Sequence, residues 1–167
     1  MSPTQDLDAA RLFVNVAQDL MSQADLVGTY ERVVSMALNL TGCTSAAILT
    51  GTPSAEVRVT ASTDPLLTAP LARIAAETGQ GPVVQALGCR SGFASQSLPQ
   101  ETRWPDYAHR VLAETAIRSE AAYPLRADGH DFGVLSVYSV EDRYFAEDIR
   151  AVAEIYAGHA LMALMHA

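Results

Sequence analysis

Apolar residues recur along this chain with two different periods, which predict helices near both ends and strands between them. In residues 8–23 the apolar side chains fall every three or four positions, as on one face of an amphipathic helix. The residues of this face are Leu12, Phe13, Val16 and Leu20. A second helix is predicted over 25–42, because Asp25 suits a helix N-cap and Gly42 suits a helix end.

Two strand pairs are predicted in the middle of the chain. Residues 45–50 and 55–61 flank a Gly-Thr-Pro-Ser turn, and the second run alternates apolar with polar residues. Residues 119–126 and 132–139 flank Asp128-Gly129, a dipeptide typical of tight hairpin turns. Both segments are therefore expected to form antiparallel hairpins.

The remaining segments supply one short strand and four helices. A strand is predicted over 92–97. Helical spacing or capping residues predict helices over the ranges 66–78, 83–87, 104–114 and 146–165. The expected fold class is α+β, with a five-stranded, mainly antiparallel sheet that carries the terminal helices on one face and the interposed helices on the other.

The 167 residues are expected to form one domain, since neither a repeat nor a linker divides them. Within it, N-terminal helices occupy 8–42, the sheet and its connections 45–140, and a C-terminal helix 145–166. The sequence shows neither a signal peptide nor an apolar run long enough to span a bilayer. A cytoplasmic location without membrane contact is therefore expected.

The charge balance argues against direct contact with nucleic acid. The net charge is −8, and all eleven basic residues are arginines that form no basic run. A surface of this sign repels phosphate backbones. The absence of lysine is typical of coding bias in a GC-rich bacterium.

Residue types that carry catalysis or bind metals do not form a recognisable constellation. Cys43 and Cys89 are far apart, and the histidines are scattered without ligand spacing: His109, His130, His159 and His166. Gly79-Gln80-Gly81-Pro82 lacks the Lys-Ser/Thr of a phosphate loop and is expected only to reverse the chain. Neither a catalytic site nor a metal site is predicted, and no cofactor is required.

Several short segments together resemble the GAF family, especially the GAF domains of actinobacterial regulators that carry a downstream RNA-binding ANTAR domain. The segments are Ala61-Ser62-Thr63-Asp64-Pro65, Glu77-Thr78-Gly79-Gln80-Gly81-Pro82, Arg103-Trp104-Pro105, Ala116-Ile117-Arg118-Ser119, Tyr123-Pro124-Leu125-Arg126 and Gly133-Val134-Leu135-Ser136-Val137-Tyr138-Ser139. Each is short, but their order and spacing cover almost the whole chain after residue 10. Longer members carry an output domain that these 167 residues do not contain, so both a stand-alone domain and a part of a longer chain remain open.

The resemblance implies a PAS-like sheet with a ligand cavity between the sheet and the interposed helices. By analogy, the cavity is expected to be lined by Ser62, Asp64, Leu66, Leu87, Trp104, Tyr107, Ile117, Arg118, Ser119 and Tyr138. Trp104 and Tyr107 each offer an apolar face with one polar group, which suits the orientation of a small ligand. Both could equally form a lid over the core.

Two roles are expected for Arg118 as alternatives. It is expected either to meet an anionic ligand or to form an internal ion pair with Asp64 or Asp106, since a guanidinium matches a carboxylate. Two more specialised hypotheses are a redox-sensing thiol at Cys89 and haem ligation by His109.

The terminal helices predict a homodimer. Apolar residues in 151–165 spread beyond one narrow stripe, which favours packing against both the sheet and a second partner. The first hypothesis is a sensory or regulatory domain that binds an unknown small molecule in bacterial signal transduction or transcription regulation. The alternative is a dimerisation or scaffold domain whose cavity is filled by side chains; an enzyme is not expected.

Overall fold

The computed structural model describes residues 3–53 and 56–167, apart from the side chains of 3–6 and 18–24. Ten elements follow one another in the order α1 (Pro3–Thr41), β1 (Ser45–Gly51), β2 (Val57–Ser62), α2 (Pro65–Thr78), α3 (Pro82–Leu87), β3 (Phe93–Ser95), α4 (Pro105–Glu114), β4 (Ser119–Ala127), β5 (His130–Ser139) and α5 (Glu147–Met165). The predicted strands and interposed helices are present, with bounds that differ by at most two residues.

The predicted five-stranded sheet and α+β class are confirmed. The strand order is β2-β1-β5-β4-β3, and every neighbouring pair is antiparallel. The β4–β5 hairpin turns at Asp128 and Gly129, whose φ angles of 49° and 78° match the two left-handed positions of a type I′ turn. The Asp-Gly turn therefore sets the register next to it, and an irregularity between Pro124 and Arg126 shifts the register along the rest of the hairpin.

The prediction of two N-terminal helices is wrong, because α1 continues without a break through Asp25. No proline or glycine separates residue 8 from residue 27, so the helix is not forced to stop there. Asp25 contributes a helical acceptor: its carbonyl oxygen accepts a hydrogen bond from Thr29 Oγ1 at 2.8 Å. A residue type that favours an N-cap is a weak signal when the helix can propagate through it.

Side chains on the two faces of the sheet build two separate cores. On β1, Ala47 and Leu49 face α2, α3 and α4, whereas Ala46 and Ile48 face α1 and α5. We call these the α2–α4 face and the terminal-helix face. The alternation follows from the two-residue period of a strand, and it gives every central strand one side in each core.

The terminal helices are tied to each other and to the sheet by both packing and hydrogen bonds. Ala153, Ala157 and Ala160 of α5 are buried, and their small size allows a close approach to the sheet and α1. Tyr156 Oη donates to the carbonyl oxygen of Val33 at 2.9 Å. The second half of α1 is thereby fixed to α5. None of the described helices combines the length and apolarity needed to cross a membrane.

Gly133 shows how closely β5 packs on β1. Its φ is 97°, and a Cβ atom added there would lie 2.3 Å from the carbonyl oxygen of Leu49. Gly129 has a similar φ of 78° but open space around it. A substitution at Gly129 therefore carries only the cost of backbone strain, whereas one at Gly133 adds the cost of a clash with the backbone of Leu49.

We expect Gly133→Ala to lower the free energy of unfolding by roughly 3 kcal/mol, because strain and displacement of β1 add together. Gly129→Ala should cost only about 1 kcal/mol, the strain alone. Urea denaturation followed by circular dichroism measures both values. Equal losses in the two variants would contradict the close approach of β5 to β1.

Candidate functional site

Five of the predicted ligand-binding residues come together in the core on the α2–α4 face. They are Leu87, Trp104, Tyr107, Ile117 and Tyr138, each less than 10% exposed. Leu87 lies on α3, Tyr107 on α4 and Tyr138 on β5, while Trp104 and Ile117 lie just before and after α4. In this structure they pack against one another as core side chains, so the predicted lining is assembled and closed.

Three other predicted residues lie at the junction of β2 with α2. Ser62 Oγ accepts a hydrogen bond from Thr68 Oγ1 at 2.8 Å, and Asp64 Oδ1 accepts one from the backbone N–H of Leu67 at 3.3 Å. These contacts cap α2. Leu66 is 90% exposed and does not line an interior cavity, which corrects the prediction. It occupies the first turn of α2, on the side that faces away from the sheet.

Arg118 does not form the ion pair predicted with Asp64 or Asp106. Its Nη1 donates to the carbonyl oxygens of Ile117 and Thr115, at 3.1 Å and 3.4 Å. Asp64 is engaged at the start of α2, and Asp106 accepts a hydrogen bond from Gln80 Nε2. The half-buried guanidinium therefore braces the loop that leads into β4.

Ser119 is buried at the start of β4, and its Oγ donates to the carbonyl oxygen of Glu141 at 2.7 Å. This bond connects β4 to the loop that precedes α5. Ser119 thus has a structural contact that the sequence did not indicate.

The main polar feature of the α2–α4 face is Glu120, which the sequence analysis missed. Glu120 is fully buried on β4, directly opposite Ser95 of β3 and Tyr138 of β5. Tyr107 Oη, from α4, donates a hydrogen bond to Glu120 Oε1. Oε2 is buried and has no hydrogen-bond partner among the described residues. A carboxyl group thus sits inside an apolar core with half of its hydrogen-bonding capacity unused.

Burial decides the protonation of this group. Loss of solvation raises the pKa of Glu120 to about 8, and the negative charge of Glu101 acts in the same direction. The hydrogen bond from Tyr107 and the nearby Ser136 hydroxyl oppose this shift. Glu120 is therefore mainly neutral at pH 7, and since Oε1 accepts from Tyr107, the proton belongs on Oε2.

The two tyrosines respond to the same environment. Burial and the negative charge of Glu120 raise the pKa of both Tyr107 and Tyr138. Their hydroxyl groups stay protonated at neutral pH and act as hydrogen-bond donors or acceptors. We call Glu120, Tyr107 and Tyr138 the Glu120 cluster. Within an apolar surrounding, the protonated Oε2 of Glu120 can present an O–H donor to a ligand, and the same carboxyl group can gain or lose one proton.

The residues considered for haem or redox chemistry lie outside this cluster. His109 is exposed on α4, and Cys89 is half-buried just after α3. Within residues 3–53 and 56–167, no three His, Cys, Asp or Glu side chains are grouped so as to hold a metal ion.

Comparisons with known proteins agree on one family. A family model described as "GAF domain" matches residues 23–165. No curated protein matches the chain in sequence.

Three solved structures illustrate the similarity of the fold. The GAF domain region of a Geobacter sulfurreducens protein has a TM-score of 0.67 at 19% identity, over 90% of this chain and 99% of that one. A domain of a protein described as a two-component sensor histidine kinase from Sinorhizobium meliloti has a TM-score of 0.62 at 17% identity, over 82% and 88%. The PixJ GAF domain of Thermosynechococcus elongatus, in its blue-light-absorbing form, has a TM-score of 0.62 at 15% identity, over 88% and 89%.

The raised pKa of Glu120 makes stability depend on pH. Between its unfolded value of 4.5 and its folded value of about 8, the folded chain holds one proton more than the unfolded chain. The contribution of Glu120 to stability is therefore fully present below pH 4.5 and is lost as the pH rises towards about 8, by about 1.4 kcal/mol per pH unit at most. We expect Glu120→Gln, which cannot titrate, to remove this part of the slope.

Urea denaturation at pH 5, 6, 7 and 8 and constant ionic strength measures the slope. Glu77→Gln is the matched control, because Glu77 is half-exposed and pairs with Arg110 on the surface. The control should keep the slope of the wild type. If Glu120→Gln also kept it, the assignment of a raised pKa to Glu120 would be wrong.

Proposed function

This chain belongs to the GAF domain family, and from that premise we propose that it is a sensory domain in which a small ligand at the Glu120 cluster changes the arrangement of the terminal helices. GAF domains are sensory, small-molecule-binding domains of signalling proteins. The observation that carries the proposal is a buried carboxyl group, inside an apolar core, with one oxygen that makes no hydrogen bond within the described part of the chain.

An unpaired buried carboxyl group costs stability. Burial of a polar group without a hydrogen bond costs on the order of 1–3 kcal/mol in proteins. Groups with strongly shifted pKa values are concentrated at functional sites. A ligand that accepts a hydrogen bond from Glu120 Oε2 would recover this cost on binding. The ligand class that fits is small and mainly apolar, with one hydrogen-bond acceptor such as a carbonyl oxygen or a ring nitrogen.

Entry of the ligand requires movement of the elements that cover the cluster. Leu87, Trp104 and Tyr107 fill the space between the sheet and the helices, so a ligand must displace at least one of them. Trp104, which precedes α4, and Gly81, which precedes α3, provide no side-chain N-cap. The start of α4 is capped from another segment, since Gln80 Oε1 accepts hydrogen bonds from the backbone N–H groups of Asp106 and Tyr107 at 3.0 Å and 3.2 Å. The start of α3 is therefore the less secured of the two.

The central strands provide a path from the ligand to the terminal helices. Glu120 and Tyr138 face the α2–α4 core, while Ala121 and Val137, which follow or precede them, pack in the core below α1 and α5. Tyr123 Oη also donates to the carbonyl oxygen of Arg150 on α5 at 3.3 Å. A ligand shifts this arrangement only if it binds one arrangement more tightly than the other.

The proposed output is a homodimer through the terminal helices. Every side chain of residues 7–17 on α1 is exposed, including Leu12, Phe13 and Val16 at 66%, 78% and 49%. On α5, Ile155 and Met162 are 66% and 54% exposed. A helix with its apolar face in water gains stability when a second helix covers that face. A second copy offers the same face, as the two-fold symmetry of most homodimers requires.

The alternative is a scaffold domain that dimerises without a ligand. The close packing of the five predicted lining residues supports it, since a filled core needs no ligand for stability. The unpaired oxygen of Glu120 supports the sensory function instead. The wider role in bacterial signal transduction or transcription regulation draws support from the sensor-kinase and photoreceptor origin of structural neighbours.

Native mass spectrometry of the protein purified from its own host tests the ligand. We expect a non-covalent mass that is lost on denaturation and that falls at least about tenfold in occupancy in Glu120→Leu, because leucine offers the ligand no hydrogen-bond donor. Glu120→Gln should retain the mass, since its amide oxygen still accepts from Tyr107 and its amide nitrogen still donates, and so should Glu77→Gln. A mass retained equally by Glu120→Leu would exclude the Glu120 cluster, and a clean dimer without any bound mass would favour the scaffold function.

The dimer is tested by light scattering coupled to size-exclusion chromatography. Phe13→Glu places a charge on the exposed apolar face of α1 and should convert the dimer to a monomer at micromolar concentration, since burial of an unpaired charge opposes association. Ala10→Glu adds the same charge on the same exposed segment without removal of a large apolar side chain, and serves as the control. A wild-type monomer, or a Phe13→Glu dimer of unchanged affinity, would contradict the proposed interface.

A further inference from the structure

A polar cleft between the edge strand β3 and the start of α5 is lined by several arginines, although the chain as a whole is negatively charged. The cleft has a volume of about 340 Å³. Its lining includes Arg103, Arg143 and Arg150, together with Gln96, Gln100 and Glu101. Three of the eleven arginines of a chain with a net charge of −8 are thus collected around one small space.

Only one of these arginines is neutralised in the cleft. Arg103 Nη2 contacts Glu101 Oε1 at 2.8 Å and also donates to the carbonyl oxygen of Ala94. Burial raises the pKa of Glu101, but the side-chain and backbone hydrogen bonds from Arg103 outweigh it and hold the pKa at about 2. Glu101 is therefore ionised and fully used by Arg103.

Arg143 and Arg150 supply the excess charge. Neither forms an ion pair with any residue in the described part of the chain. Arg150 Nε is also buried and lacks a hydrogen-bond partner there. Glu154 lines the adjacent cleft, which Arg150 also borders, but the two side chains form no ion pair.

The backbone holds Arg143 in place. Its φ is 57°, a left-handed conformation that is uncommon for residues other than glycine. Its N–H donates to the carbonyl oxygen of Gln96, in the segment that follows β3, at 2.8 Å. A strained residue that is anchored to an opposite wall of the cleft presents its side chain from a fixed position.

We propose that this cleft binds a small oxyanion, namely phosphate or the phosphoryl group of a small molecule. Two guanidinium groups without ion pairs match the oxygens of a phosphoryl group, and the amides of Gln96 and Gln100 add neutral donors. The bound anion bridges the β5–α5 loop, the first turns of α5 and the segment after β3. The proposal does not depend on a ligand at the Glu120 cluster. That cluster lies on the α2–α4 face of the sheet.

An NMR titration with inorganic phosphate at pH 7 tests the proposal. Sodium chloride replaces phosphate so that the ionic strength stays constant, because exposed charges respond to salt in general. We expect saturable shifts of the backbone amides of Gln96, Ser97, Arg143 and Arg150. Arg143→Gln and Arg150→Gln should each weaken the affinity about tenfold, as expected for the loss of a charge-assisted contact.

Arg58→Gln is the matched control. It removes the same charge from an exposed ion pair with Glu56 on the opposite edge of the sheet, and phosphate affinity should stay within about twofold. The amide spectrum of each variant shows whether it is folded, and Arg143 lies in an exposed loop where truncation leaves the core intact. Shifts that never saturate, unchanged affinity in both cleft variants, or an equal loss in Arg58→Gln would each overturn the proposal.

Discussion

The structure depends on a sheet that is buried on both faces. Strands β1, β4 and β5 form its centre, and each of them sends alternate side chains into two different cores. Small residues such as Ala46, Ala47, Ala121 and Ala122 allow helices to pack closely on both sides. Because neither face reaches water along these strands, a polar side chain there must find a partner within the protein or bear the cost of burial. Glu120 is the residue at which this constraint is only half satisfied.

Much of the fold could be predicted from the sequence because its signals are local. The Asp128-Gly129 turn fixes a hairpin, and the alternation in β2 reflects an edge strand with one exposed side. The error at Asp25 has the opposite origin. A capping residue is favourable at a helix start, but nothing in the surrounding residues prevents the helix from continuing, and continuation adds a hydrogen bond per residue.

The site was harder to predict, because it depends on contacts between distant segments. The resemblance named five residues that do meet in the α2–α4 core, yet it also named Leu66, which faces solvent, and it missed Glu120. One signal was present in the sequence. Glu120 is two residues before Ala122 and therefore on the same face of β4, so a charged residue was in phase with a core position. Its partner Tyr107 comes from α4, and no local pattern connects the two.

The length of helix α1 affects how far its exposed end can move. Its second half is fixed to α5 and the sheet, while residues 7–17 extend along the same helix with all their side chains exposed. At 1.5 Å per residue, the distance from Thr29 to Pro3 is about 39 Å along the helix axis. If α1 pivots near Thr29, a tilt of roughly 10° at the sheet moves the far end by about 7 Å, simply from the length of the helix. Under such a pivot the helix would act as a lever arm, in which a small change of angle beside the sheet becomes a displacement as large as a side chain at the far end.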